Sequence, residues 1–249
     1  MQAGTSLDRL AEAGAHLASL AAFLELHIEQ GPRMEAASMD LAVVTGIVGV
    51  HRQQFRVIGT QNHAGTTPFA LRHDAGRAAA RAIAGVEELV QSIDAEAVAN
   101  VGIVRFYPGG VNVIPGEASF SLEVRHWDER VVRRIVDAFS RRLEETCREE
   151  GCNASAELLS WVPPARMDEA TMRNLEMACQ ELGQTAGRLW SGAGHDAAVL
   201  SRHVPTGMLF VPSAGGVSHA PAEATDDQHL VLGARALLRA VRVSASRIK

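Results

Sequence analysis

The stretch Gly46-Ile47-Val48-Gly49-Val50-His51-Arg52-Gln53-Gln54-Phe55-Arg56-Val57-Ile58-Gly59 opens the segment whose reading decides the fold, 46–162. Its apolar and β-branched residues predict a strand over 47–58, and a Gly/Thr/Pro loop follows to residue 68. An Ala-rich helix is expected over 74–91, a strand over 98–106 and a turn at Pro108-Gly109-Gly110. A strand over 118–124, a long charged helix over 129–149 and a closing strand over 154–161 complete the run. The order is β-α-β-β-α-β, the split ferredoxin-like arrangement, and Pro163-Pro164 closes it.

Working outward, 7–22 carries Leu7, Leu10, Leu17 and Leu20 among alanines and predicts an amphipathic helix. Strands are expected over 23–30, stopped by Gly31-Pro32, and over 41–48. Beyond the insert come a helix over 168–182, a Gly-rich loop into a helix over 191–202, a strand over 206–211, a Ser/Gly loop over 212–218 and a helix over 226–243. These flanks describe an α/β domain with three strands, divided by the insert. The expected organisation is 1–45, 46–162 and 163–249.

The chain has 249 residues, 47% hydrophobic and 21% charged, which is the balance of a globular protein and not of a disordered one. Aromatics are 4%, so the core is expected from Leu, Val, Ile and Ala. A net charge of −5 and no clustered basic stripe exclude nucleic acid as a partner. The densest basic stretch, 130–142, is interleaved with apolar and acidic residues and reads as one solvated helix face. No segment approaches the roughly 18 apolar residues of a membrane span. Cys147, Cys152 and Cys179 are odd in number and lack C-x-x-C spacing, so the expected compartment is the reducing cytoplasm.

Of ten histidines, His16, His51, His73, His126, His203 and His229 read as surface or satisfied core residues. Four sit in informative settings. His27, in Leu26-His27-Ile28-Glu29-Gln30-Gly31-Pro32, ends a strand, where α/β folds gather ligands and where imidazole can bind a transition metal. From pattern alone, a half-buried strand histidine reads equally well. His219 lies in a Gly/Ser/Pro loop after an apolar strand. His63, in Asn62-His63-Ala64-Gly65-Thr66-Thr67-Pro68, sits where small turn residues let the backbone approach a ligand. His195 follows Ser191-Gly192-Ala193-Gly194, a loop whose backbone N–H groups can meet an anion. On the insert, Asn112 and Arg125 form a pair suited to a carboxylate, which guanidinium grips bidentately. No G-x-S-x-G elbow, P-loop or G-x-G-x-x-G after a strand is present.

Taken in order from Leu24 to about Leu238, these motifs resemble the dinuclear-metal amidohydrolases related to the zinc aminopeptidases. The branch is that of N-carbamoyl-L-amino-acid hydrolases, allantoate amidohydrolases and β-alanine synthases. The resemblance implies a zinc-aminopeptidase-like α/β catalytic domain interrupted by a lid that also forms a homodimer contact and can supply groups to the partner's site. It implies His27 and His219 as ligands of two divalent metals (zinc, manganese, cobalt or nickel), one histidine for each. Gln30, Asn112, Arg125, Gly192 and Gly194 match substrate-contact positions, and His63 matches the lid histidine that supports an oxyanion. The implied reaction is hydrolysis of a linear C–N amide in a carbamoyl or ureido small molecule bearing a carboxylate.

Two departures stand out. Glu123 occupies the place of the family's Asp two residues before Arg125. The family's His-x-Asp segment, bridging Asp and Glu-Glu pair, which lie upstream of the His27 motif, have no counterpart: Glu87-Glu88, Glu144-Glu145 and Glu149-Glu150 all fall in predicted insert helices. The chain therefore reads as a C-terminal portion lacking the N-terminal half of the catalytic domain, and it is expected to be silent alone. The alternative is a non-catalytic truncated product acting as a lid-mediated dimerisation module.

Overall fold

A computed structural model describes residues 17–246. In chain order, β1 (Phe23–Ile28), α1 (Arg33–Ala36) and β2 (Ala42–Ile47) come first. Next are β3 (Gly49–Ile58), β4 (Asn62–His63), α2 (Ala75–Ala84), α3 (Val86–Ile93), β5 (Val98–Asn100), β6 (Val104–Tyr107), β7 (Val113–Ile114), β8 (Glu117–His126), α4 (Glu129–Glu149) and β9 (Asn153–Val162). The chain ends with β10 (Ala165–Arg166), α5 (Glu169–Gln180), β11 (Gly187–Ser191), α6 (Asp196–Leu200), β12 (Thr206–Val211) and α7 (Asp227–Ala245). Among the described residues two compact units result: 17–47 with 165–246, and 48–164.

The first unit is built on a five-stranded mixed sheet. β1 runs parallel to β12, which is antiparallel to β2, and β11 lies parallel to β2. All six residues of β12 are buried, the mark of a central strand. Met34, Leu41, Leu175, Met208, Leu209 and Phe210 make the heart of its core. Asp168 caps α5 by accepting from Thr171 N at 2.7 Å, satisfying a donor that the first helical turn leaves unpaired.

The second unit is antiparallel throughout, with strand order β5-β8-β3-β9 and β6 also on β8. Along β8 burial alternates residue by residue, so Ala118, Phe120, Leu122, Val124 and His126 share the inner face. Glu117, Ser119, Ser121, Glu123 and Arg125 share the other. On α4, Val132, Ile135, Val136, Phe139 and Leu143 follow helical spacing into the same core.

Several expectations are corrected. Of the helix expected over 7–22, residues 7–16 lie outside the described part; Leu17–Ser19 is a short 3-10 turn, and Phe23 already begins β1. The helix over 74–91 is broken at Gly85, whose backbone (φ −98°, ψ 11°) leaves the helical region. There the Arg142 guanidinium occupies the space a Cβ would take and donates to the Gly85 carbonyl at 3.2 Å. The strand over 98–106 is interrupted between β5 and β6, where Ile103 N turns to the Ser121 hydroxyl at 3.2 Å. The helix over 191–202 shrinks to α6. The first unit has five strands, not three, because β11 and the two-residue β10 join its sheet. The core is also less purely aliphatic than expected: Phe55, Phe120 and Phe139 meet with ring centroids 5.1–6.0 Å apart. Among the described residues no helix is long and apolar enough to cross a membrane.

Candidate active site

In the first unit the site is built on β1. The two-residue period of a strand puts Glu25 and His27 on one face. His27 Nδ1 faces the Ile28 carbonyl at 2.9 Å, an acceptor, so the ring proton sits on Nδ1 and Nε2 keeps its lone pair. The His195 ring packs edge-on against His27, with centroids 4.6 Å apart. His195 Nε2 is 2.7 Å from the Ser191 hydroxyl, and its Nδ1 is 3.9 Å from Glu25. Burial, reinforced by the neighbouring His27, pulls the His195 imidazole down to about 4, so the ring is neutral at physiological pH. Burial pushes the Glu25 carboxyl up, against the opposing hydrogen bond from Ala197 N at 2.7 Å.

Beyond β1 the chain turns sharply. Gln30 has φ 58°, a left-handed backbone for a residue with a Cβ. Its N–H donates to the Ser213 hydroxyl at 2.9 Å, and its side-chain amide donates to the Ser218 hydroxyl at 3.1 Å. Ser218 in turn donates to Glu223 at 2.6 Å, and His219 N donates to the same carboxylate at 3.3 Å. These bonds hold the Glu223 carboxyl below its usual range. His219 also has a left-handed backbone, φ 56°. The structure thus ties the Gln30 turn to the His219 loop, and left-handed strain falls on both. Glu29 is buried and accepts from Arg33 N and Met34 N at 2.9 and 2.8 Å, which anchors the turn.

The Gly-rich loop differs from the anion cradle expected of it. Ser191 Oγ already takes Ala193 N at 3.1 Å, and Glu25 takes Ala197 N. Gly192 and Gly194 border the loop, and a Cβ at Gly194 would meet nothing within 4 Å. Sequence reading missed Glu25, Ser191 and the buried role of His195; the alternation Glu25-x-His27 was the signal for the first.

In the second unit, His63 and Asn112 are brought together. β4 pairs with β7, His63 opposite Val113, and Ala64 N donates to the Asn112 carbonyl at 2.9 Å. His63 Nδ1 accepts from Gly65 N at 3.0 Å, so the neutral ring carries its proton on the exposed Nε2, a donor. Arg125 is on the outer face of β8, its Nε donating to Glu123 at 2.7 Å; Arg52 reaches the same carboxylate. Arg125 lies eight residues along β8 from Glu117, roughly 27 Å of extended chain. Asn112 belongs to the Glu117 end through β7, so the two groups expected as neighbours are not.

His126, read as surface or satisfied core, is neither: it is 0% exposed and its Nε2 has no hydrogen-bond partner.

The donor set around His27 fits one imidazole ligand for a metal, as its tautomer shows. Among the described residues, no three His, Cys, Asp or Glu donors converge at His27 or His219.

The fold is that of a known peptidase family. The chain belongs to peptidase family M20/M25/M40, whose family model matches residues 3–243. It is 38% identical to the N-carbamoyl-L-amino acid amidohydrolase of Geobacillus stearothermophilus, over 96% of this chain and 58% of that protein. It is 36% identical to the allantoate amidohydrolase of Bacillus subtilis, over 90% of this chain and 54% of that protein. Among solved structures it is similar to an amidase of the hydantoinase/carbamoylase family from Burkholderia multivorans. That match has TM-score 0.84 and 33% identity, and covers 91% of this chain and 55% of the other. The chain thus spans a little over half the length of the relatives it matches.

Proposed function

We propose that this chain serves the hydrolysis of a linear C–N amide bond in a small carbamoyl or ureido compound that carries a carboxylate. The observation that carries this reading is the Gln30–Ser218–Glu223 hydrogen-bond chain, which ties the turn after His27 to the His219 loop. His27 and His219 would hold divalent metal (zinc, manganese, cobalt or nickel), which when bound polarises the amide carbonyl and lowers the pKa of water. Among the described residues no three such donors converge there, so no step is assigned to the metal. His63 offers its Nε2 proton to the developing oxyanion. Gln30, Gly192 and Gly194 line the substrate's position in the first unit. Arg125 and Asn112 would recognise the carboxylate of the substrate.

The reading includes a homodimer through the second unit, residues 48–164, acting as a lid. β5 and β6 form a sheet edge with Val98, Val104, Phe106 and Tyr107 exposed, the kind of edge a second copy covers. Light scattering on the chain at high micromolar concentration is expected to give a dimer, and a strict monomer counts against the pairing.

Activity is tested by complementation. The part of the Geobacillus relative that this chain does not match is expressed with it and supplied with Mn²⁺ or Zn²⁺. Ammonia release from an N-carbamoyl-L-amino acid or allantoate is expected from the pair, lost on His27→Ala and absent from either piece alone. Release that survives His27→Ala contradicts the reading.

A further inference from the structure

We propose a second divalent-cation site, of the zinc type, formed by Asp94, Glu96 and His126 within the second unit. Strand register creates it. Val98 of β5 pairs with Arg125 of β8, so the turn between α3 and β5 passes the end of β8, where His126 points inward. His126 is fully buried, yet its Nε2 makes no hydrogen bond. A desolvated ring nitrogen without a partner costs free energy that folding ordinarily avoids.

Asp94 Oδ1 lies 3.6 Å from that nitrogen, with an Asp94 side chain 32% exposed. That is long for a hydrogen bond. It is close to the roughly 3.4 Å that separates two ligands held at about 2.0–2.1 Å from one tetrahedral zinc. Glu96 supplies the third donor: one ligand atom from each residue lies within 4.8 Å of the others. Glu96 is exposed and can rotate inward. One imidazole and two carboxylates neutralise a dication, leave a position for water, and suit zinc ahead of cobalt or manganese.

The ring must adapt. Asp128 N donates to His126 Nδ1 at 3.0 Å, which puts the proton of the metal-free ring on Nε2, facing Asp94. A cation on Nε2 moves that proton to Nδ1, where the Asp128 carbonyl at 3.4 Å becomes its acceptor. Binding is therefore weaker than at a preformed site. It pins the end of α3 to the start of α4. A reporter is built in: the Trp127 ring lies tilted against His126, centroids 5.1 Å apart, and its Nε1 donates to Glu96 at 3.4 Å.

The test is zinc titration of the metal-free full chain, native against Asp94→Asn/Glu96→Gln. Both altered carboxylates reach solvent, so the variant keeps its fold, checked by circular dichroism. The native chain is expected to take up one equivalent more than the variant, because anything bound at His27 and His219 is common to both. Co²⁺ is expected to quench Trp127 fluorescence in the native chain and to lose that quenching in the variant, with Trp127→Phe identifying the signal. Equal stoichiometry in the two chains overturns the site. So does a His126 ring that keeps its proton on Nε2 by nitrogen NMR under saturating zinc, since it is then a buried histidine facing Asp94.

Discussion

The polar residues of the two units are held in opposite ways. In the first unit Glu25, His195 and Ser191 are sunk against β1 and spend their hydrogen bonds on one another and on the backbone. In the second, His63 and Asn112 ride on an exposed two-stranded ribbon fixed by main-chain bonds, and Arg125 stands on the outer face of a sheet. A buried polar cluster is part of what keeps its unit folded, whereas an exposed one is carried by a fold that would form without it. Substitutions should separate the two.

The largest stability loss is expected in the apolar core of the second unit. Phe139→Ala removes the ring that packs on both Phe55 and Phe120, and should cost about 3–5 kcal/mol in urea unfolding. A loss near zero would mean that this aromatic core is not what holds α4 to the sheet. In the first unit's polar cluster, Glu25→Ala strips the Ala197 N–H of its acceptor and should cost about 1–3 kcal/mol. His63→Ala, on the exposed ribbon, should change stability by less than about 0.5 kcal/mol while impairing the complemented enzyme. Equal stability losses for Glu25→Ala and His63→Ala would erase the contrast.

The cysteines give a pH-dependent check common to both units. Burial pushes the Cys147, Cys152 and Cys179 thiols up to about 11. The folded chain therefore keeps thiol protons that unfolded thiols, near 9, give up. Stability falls as pH rises from about 9 through 11. Alkylation at pH 8 should be slow in the native chain and fast after unfolding; rapid native labelling of any of the three would show that thiol to be exposed.

Much of the architecture was legible because its causes are local. Asp128 caps α4 and helical spacing carries it to residue 149, so its span reads directly from sequence. Thr206–Val211 is equally plain as an unbroken apolar run. The break at Gly85 was not, because the Arg142 that fills it lies 57 residues away. β11 was hidden in a short stretch where Gly187 and Arg188 weaken the strand pattern. His27 and Gln30 announced themselves through the Gly31-Pro32 stop, but the bond from Gln30 to Ser218 spans 188 residues. His126 was invisible for the same reason: its neighbours are chosen by strand register, not by sequence distance.

Recognition of the substrate carboxylate by Arg125 is measured most directly in the complemented enzyme. The values of kcat/KM are compared for an N-carbamoyl-L-amino acid and for its carboxamide analogue, with native chain and with Arg125→Ala. We expect the substitution to cost about 2–5 kcal/mol of transition-state binding on the carboxylate substrate and almost nothing on the analogue. Equal losses on both substrates would make Arg125 a structural partner of Glu123 and contradict the proposed specificity.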